Sequence, residues 1–243
     1  MHSDSVKNLS AYADQNHALS LAAARLELYE GKMRKKSKKR NKMIGVALVI
    51  IVLLFGIITV KFIQYEKIIE DTERTWLITQ YGPRDVNSMF YTLYGGKGQL
   101  IVVDGGWTED ADFVRQTIKE MGGKVDAWIL THPHQDHIGA FNAIYSDLQG
   151  IEIKKVYTVD MPSPKLCQER AHWDSVDTYN DFLDLNVKNL KYVYPGDELN
   201  ICGLKVDIYN AYDEHVKKLS QDYLNDGSMM FKVQGEKSSM LFC

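Results

Sequence analysis

His132-Pro133-His134-Gln135-Asp136-His137 follows the run Val125-Asp126-Ala127-Trp128-Ile129-Leu130, with Thr131 between them. The run is mostly apolar, the pattern of a buried strand in a parallel or mixed sheet. Behind the cluster, Ile138-Gly139-Ala140-Phe141-Asn142-Ala143-Ile144 reads as the start of a helix. The cluster therefore occupies the loop at the carboxyl end of a strand, where open α/β sheets place their sites. In extended backbone His132 and His134 point the same way and can share one cation, while Asp136 and His137 turn toward a second position. Imidazole with carboxylate suits a borderline divalent ion, zinc first, with manganese and iron as alternatives. The plainer alternative is a polar loop that happens to hold histidines. Four donor-type residues in six, at a strand end, favour metal.

Working outward, Met43–Val60 is an uncharged stretch of 18 residues rich in Ile, Val and Leu. At about 1.5 Å per residue it is just long enough to cross a bilayer core. A buried core helix would show a polar stripe, and this one shows none. Lys32, Arg34, Lys35, Lys36, Lys38, Lys39, Arg40 and Lys42 precede the stretch, whereas Lys61 and Lys67 behind it are offset by Glu66, Glu70 and Asp71. That asymmetry predicts a single-pass plasma-membrane protein with its amino terminus in the cytoplasm and the rest outside. Contact of the basic run with anionic lipid is expected in preference to a nucleic-acid patch. A cleaved signal peptide fits less well, because the run starts far from the amino terminus and no Ala-x-Ala-like site follows it. Cys167, Cys202 and Cys243 form no CxxC and no even-numbered framework, so they read as small buried apolar residues.

The expected organisation is a polar and basic tail over 1–42, a transmembrane helix over 43–62, a charged helical stalk over 63–74 and a domain over 75–243. Within the tail, Ala18–Tyr29 has helix propensity but little apolar surface, so a short helix or a disordered tail is expected. In the domain, Trp76–Tyr81 reads as a strand and Gly82-Pro83 as a turn. Ser88–Tyr94 and Gln99–Val103 read as a hairpin around Gly95-Gly96-Lys97-Gly98. Apolar residues recur at helical spacing from Thr108 or Glu109 to Met121. Lys154–Val159 reads as a strand, Leu166–Leu185 as mostly helical, and Leu190–Tyr194 as extended. Leu199–Ile201 and Leu204–Tyr209 follow the turn Pro195–Glu198, and Met229–Val233 pairs with Ser239–Phe242. Strands in meanders with interspersed helices predict a layered α/β fold with mixed sheets.

From about Trp76 onward the sequence resembles the metallo-β-lactamase superfamily of binuclear metallohydrolases. Its HxHxDH signature matches His132, His134, Asp136 and His137 without a departure. Asp104, in Ile101-Val102-Val103-Asp104-Gly105-Gly106, matches the earlier Asp of that family. The resemblance implies that it orients a ligand histidine. Pro195-Gly196-Asp197, Gly203-Leu204-Lys205-Val206, Asn225–Val233 and Met240-Leu241-Phe242 look most like exterior domains related to the competence protein ComEC. The implied fold is an αββα sandwich, incomplete here. The third His of the first metal, a bridging Asp from Gly-Asp and a final His have no counterpart before Cys243, so the sequence reads as part of a longer protein. Asn225 or Asp226 falls near the position of the third His, and His215 sits in what reads as an exposed helical turn.

The resemblance implies an anchored exterior hydrolase with two zinc ions in a complete site. His132 and His134 would bind the first, Asp136 and His137 the second, and Asp136 would also take a proton from the attacking water. A phosphodiester or other ester is the expected substrate, DNA or an envelope polymer among them. A catalytically incompetent exterior module that binds a metal or polymer is the competing reading. A DNA-uptake component ranks below it, because the exterior part has no long basic stripe.

Overall fold

The computed structural model describes residues 3–82 and 89–243; for 3–19, 22–24 and 73 it describes backbone alone. Pro83 of the expected Gly82-Pro83 turn and Ser88 of the expected hairpin lie outside the described residues. The chain divides into two units, Met1–Ile68 and Ile69–Cys243.

The first unit is helical. Helix α1 runs without a break over Ser3–Glu73, so the tail, apolar stretch and stalk expected as separate segments form one element. Ala, Leu, Lys, Arg and Glu dominate its flanks, all strong helix formers, and Pro is absent throughout. Within Arg25–Thr72 an 18-residue window reaches mean hydropathy 3.1, and none of that window is covered by protein. Among the described residues, one helix is thus long and apolar enough to span a membrane. The Thr59 hydroxyl inside it donates to the Phe55 carbonyl at 2.9 Å, so the span carries no unsatisfied side-chain donor there.

The second unit is built on two sheets. Strands β1 (Trp76–Tyr81), β2 (Phe90–Gly95) and β3 (Leu100–Val103) form an antiparallel meander. The Gly98 amide donates to the Gly95 carbonyl at 2.8 Å in the β2–β3 turn. A 3-10 turn at Thr108–Asp110 leads into α2 (Ala111–Glu120). The strand expected over Val125–Leu130 is interrupted at Asp126. Residues Lys124–Val125 form β4, and Ala127–Ile129 form β5. The Asp126 carboxylate explains the break: it accepts from the Leu100 amide at 3.0 Å and from Lys154 Nζ at 2.5 Å. Strand β5 lies parallel to β3, and helix α3 (Gln135–Ser146) follows it.

Next in the chain are β6 (Glu152–Ile153), pairing with β4, and β7 (Val156–Val159), parallel to β5. The helix expected across Leu166–Leu185 is two helices, α4 (Pro164–Arg170) and α5 (Asp177–Asp184). They are separated by a loop over 171–176 in which Ala171 and Val176 are buried while Trp173 stays exposed. Strand β8 (Leu190–Val193) completes a six-stranded sheet in the order β1-β2-β3-β5-β7-β8. The second sheet comprises β9 (Glu198–Ile201), β10 (Leu204–Asn210), β11 (Met230–Gln234) and β12 (Ser239–Phe242), with α6 (Glu214–Leu219) and α7 (Tyr223–Asp226) inserted between β10 and β11.

The two-residue period of β2 assembles the layers. Phe90 turns one way, with its ring 5.8 Å from Phe113 of α2. Tyr91 turns the other way, 5.1 Å from Phe242 of β12. One face of the first sheet therefore packs on helices and the other on the second sheet, giving the helix–sheet–sheet part of the expected incomplete sandwich. On the outward side of the second sheet, Lys205, Asp207 and Lys232 form an ion-pair network. The mixed α/β class inferred from the sequence is the class observed.

All three cysteines are free, but only Cys167 is buried; Cys202 is half-buried in the β9–β10 turn and Cys243 is exposed. Burial, reinforced by the nearby charges of Asp222 and Asp174, pushes the Cys167 thiol up to about 12. Alkylation of the folded protein at mildly alkaline pH is therefore expected to modify Cys202 and Cys243 and to spare Cys167 until denaturant is added. Peptide mapping that finds Cys167 labelled as fast as Cys243 would contradict the packing of α4.

Candidate metal centre

Beyond Ile129 the chain leaves the first sheet in extended backbone, and α3 begins at Gln135 with His134 as its N-cap. Asp136 and His137 thus lie in the first helical turn, whereas His132 precedes the helix. Two neighbours pin this loop. From the turn after β3, the Asp104 amide donates to the Ile129 carbonyl and the Gly105 amide to the His137 carbonyl, both at 2.8 Å. From just before β11, the Met229 amide donates to the Thr131 carbonyl at 2.9 Å. Gly139 allows α3 to approach closely, since a Cβ there would stand 2.6 Å from the Thr108 nitrogen.

Asp104 has a left-handed backbone, φ 56°, which Asp tolerates better than most residues. Its Oδ1 accepts from the Thr131 amide at 2.8 Å. Its Oδ2 lies 2.8 Å from both the Thr131 hydroxyl and His137 Nδ1. A carboxylate only accepts, so the hydroxyl and the His137 Nδ1–H both donate to it. With its proton so committed, Thr131 Oγ1 is left to accept from His132 Nδ1 at 3.1 Å. This leaves Nε2 of His132 and of His137 as the ligating nitrogens. His134 is held the other way round: its Nε2 lies 2.5 Å from Asp174 Oδ2, leaving Nδ1.

The electrostatics follow from this packing. Burial, together with the charges His137 and His134 would carry, holds the His132 imidazole well below its usual range. It is neutral near pH 7, the form in which imidazole ligates metal. Burial also pulls His137 down, but the hydrogen bond and charge of Asp104, with the charge of Asp136, outweigh it and leave His137 raised.

The three imidazoles are neighbours, with ring centroids 3.9 Å apart for His132 and His137 and 4.8 Å for His132 and His134. Asp136 Oδ2 stands 3.7 Å from His137 Nε2. As placed, the side chains pack on one another; among the described residues no group of three or more His, Cys, Asp or Glu stands ready to hold an ion. By donor chemistry the set nevertheless fits one divalent ion: three imidazoles, each with one nitrogen engaged by an oxygen and the other left over, and a carboxylate beside them. Among the described residues a second ion would lack donors. His215 is exposed on α6, and Asn225 is exposed with its side chain turned onto Asp222 Oδ2 at 2.7 Å. Asp226 is exposed as well, at the end of α7.

Sequence reading missed Asp174. Its signal was faint: Ala171-His172-Trp173-Asp174-Ser175 interrupts a helical period with a residue pair that favours turns.

Residues 81–155, which hold Asp104 and the whole cluster, match the family model described as the metallo-beta-lactamase superfamily. An RNase, aCSPSF2 of Saccharolobus solfataricus, is 26% identical over 168 residues, 66% of this chain and 31% of that protein. A hydroxyacylglutathione hydrolase of Aliivibrio fischeri is 29% identical over 121 residues, 48% of this chain and 46% of that one. The chain thus spans less than half the length of these curated relatives. The crystal structure of a metallo-beta-lactamase from Staphylococcus aureus superposes with TM-score 0.45 at 14% identity, over 70% of this chain and 43% of the other. Its HxHxDH loop at the carboxyl end of β5 and Asp104 against His137 lie within residues 81–155, the segment that matches the metallo-β-lactamase superfamily.

Proposed function

We propose that this protein is a membrane-anchored, metal-dependent hydrolase whose domain faces the exterior and acts on a phosphodiester or other ester. The observation that carries the reading is the trio His132, His134 and His137, each with one ring nitrogen engaged by an oxygen. His132, His134 and His137 would hold one ion with Asp136 beside them, zinc being favoured over manganese or iron by the imidazole-rich donor set. A bound divalent ion would supply a nucleophile at neutral pH by lowering the pKa of water, and would polarise the scissile group. Asp136, the more exposed member of the cluster, would accept the proton of the attacking water. Asp104 and Thr131 would keep the rings of His137 and His132 in place throughout.

The relatives are named for RNA and for hydroxyacylglutathione cleavage, and the ComEC-like pattern of the carboxyl half favours phosphodiesters such as DNA or an envelope polymer. The basic run before the apolar stretch supports a cytoplasmic amino terminus in contact with anionic lipid. A second reading, an exterior module that binds metal or polymer without turnover, is favoured by the absence of a ready three-donor group among the described residues.

The two separate in one assay. The full-length gene product, purified in detergent, is expected to hydrolyse bis-p-nitrophenyl phosphate with zinc or manganese, to lose that activity on chelation and to regain it when metal returns. Stoichiometric metal binding with no turnover on phosphodiester, carboxyl ester or thioester probes would instead establish the binding module.

A further inference from the structure

The geometry points to Asp174 as a positioning residue that holds His134 by Nε2 and so makes Nδ1 the atom offered to the ion. This rests on the metal-centre reading above. The carboxylate comes from the loop over 171–176, 40 residues beyond its partner, and both side chains are largely buried, at 23% and 12% exposure. A contact of 2.5 Å between a carboxylate oxygen and an imidazole nitrogen requires a proton between them, so Nε2 carries it. Nδ1 is then the lone-pair nitrogen, free to face an ion.

Asp174 is itself held in place. Its Oδ1 accepts from the Ser175 amide at 3.0 Å, and its own amide donates to the Ala171 carbonyl at 3.0 Å. The Ala171 amide in turn donates to the Cys167 carbonyl at 2.9 Å, closing the end of α4. On the other side of the loop, Asn142 of α3 donates to the Thr178 carbonyl of α5 at 2.9 Å. The same helix that carries Asp136 and His137 is thus tied to the element following Asp174. With one oxygen fixed by its own loop and the other by His134, Asp174 works through the histidine and adds no donor of its own. The break between α4 and α5 therefore has a role: a continuous helix over 166–185 would lack the turn that sets this carboxylate.

Two measurements on the full-length protein in detergent test this. The first needs no metal. In long-range nitrogen–proton spectra of histidine-labelled protein at alkaline pH, His134 is expected as the Nε2–H tautomer in the wild type and as a tautomer mixture in Asp174→Ala. The second is calorimetric zinc titration. Asp174→Ala is expected to weaken binding by about 10–100-fold at unchanged stoichiometry. Asp174→Asn, whose amide oxygen still accepts from Nε2–H, is expected to recover most of the affinity. A tautomer that ignores the Ala substitution, or wild-type affinity in that variant, overturns the proposal. Loss of a whole equivalent of zinc overturns it in favour of direct ligation. A wild type that shows the fixed tautomer but binds no zinc sinks the metal-centre reading while leaving the positioning contact standing.

Discussion

His134→Ala is expected to lower metal-dependent turnover by about three orders of magnitude or more, since the metal-generated nucleophile and its orientation fail together. The substitution removes an imidazole from the trio and strands the Asp174 carboxylate, largely buried, without its partner at 2.5 Å. Asp136→Asn provides the matched comparison. It keeps volume and an oxygen at the same place but no longer accepts a proton well, so turnover should fall by about 10²–10⁴-fold with less loss of metal. The measurement is initial rate per bound metal for wild type and both variants, beside a thermal melt to verify folding. A His134→Ala protein that hydrolyses as fast as the wild type would place the activity elsewhere or in a contaminant. Equal loss of rate and of metal in Asp136→Asn would make Asp136 a ligand only, with no separate role in proton transfer.

What could be read in advance was what lies close in sequence. Four donors within six residues, at the end of an apolar run, need no knowledge of the fold to be seen as one group, and Asp104 was found because a family pattern placed it there. The meander Trp76–Val103 and the two hairpins of the carboxyl half announce themselves through alternation and glycine turns. Asp174 could not be found in this way, because a contact across 40 residues leaves no periodic trace. The reading of Leu166–Leu185 as mostly helical even concealed it, since both helices bury one face and the loop between them also buries Ala171 and Val176. Asp126 misled for a related reason. The run Val125–Leu130 reads as one strand, whereas the bonds of Asp126 to Leu100 and Lys154 divide β4 from β5. The uninterrupted α1 was underestimated because its segments differ in composition, although helix propensity stays high across their boundaries.

Trp128→Ala is expected to be the most destabilising single change in the domain and to disturb the metal centre from beneath. Trp128 is fully buried at the middle of β5, with its ring 5.0 Å from Phe141 of α3 in an edge contact. Truncating a buried Trp to Ala costs about 3–5 kcal/mol. For a domain of this size that corresponds to a fall of roughly 6–20 °C in melting temperature. The indole Nε1 also donates to the Asp104 carbonyl at 2.9 Å, in a buried bond. Asp104 is the residue whose φ of 56° aims its carboxylate at Thr131 and His137, and its amide is already committed to Ile129. Trp128→Phe separates the two contributions. It keeps an aromatic ring against Phe141 but leaves the Asp104 carbonyl unsatisfied, a cost of about 1–3 kcal/mol. Phe141→Leu does the reverse, loosening the packing while sparing the bond to Asp104. If the bond transmits order from the core to the site, Trp128→Phe will weaken zinc binding more than Phe141→Leu does, whichever of the two melts lower. Equal zinc affinity in both variants would show that the Asp104 turn is held by Ile129 and Thr131 alone, with Trp128 serving only the core.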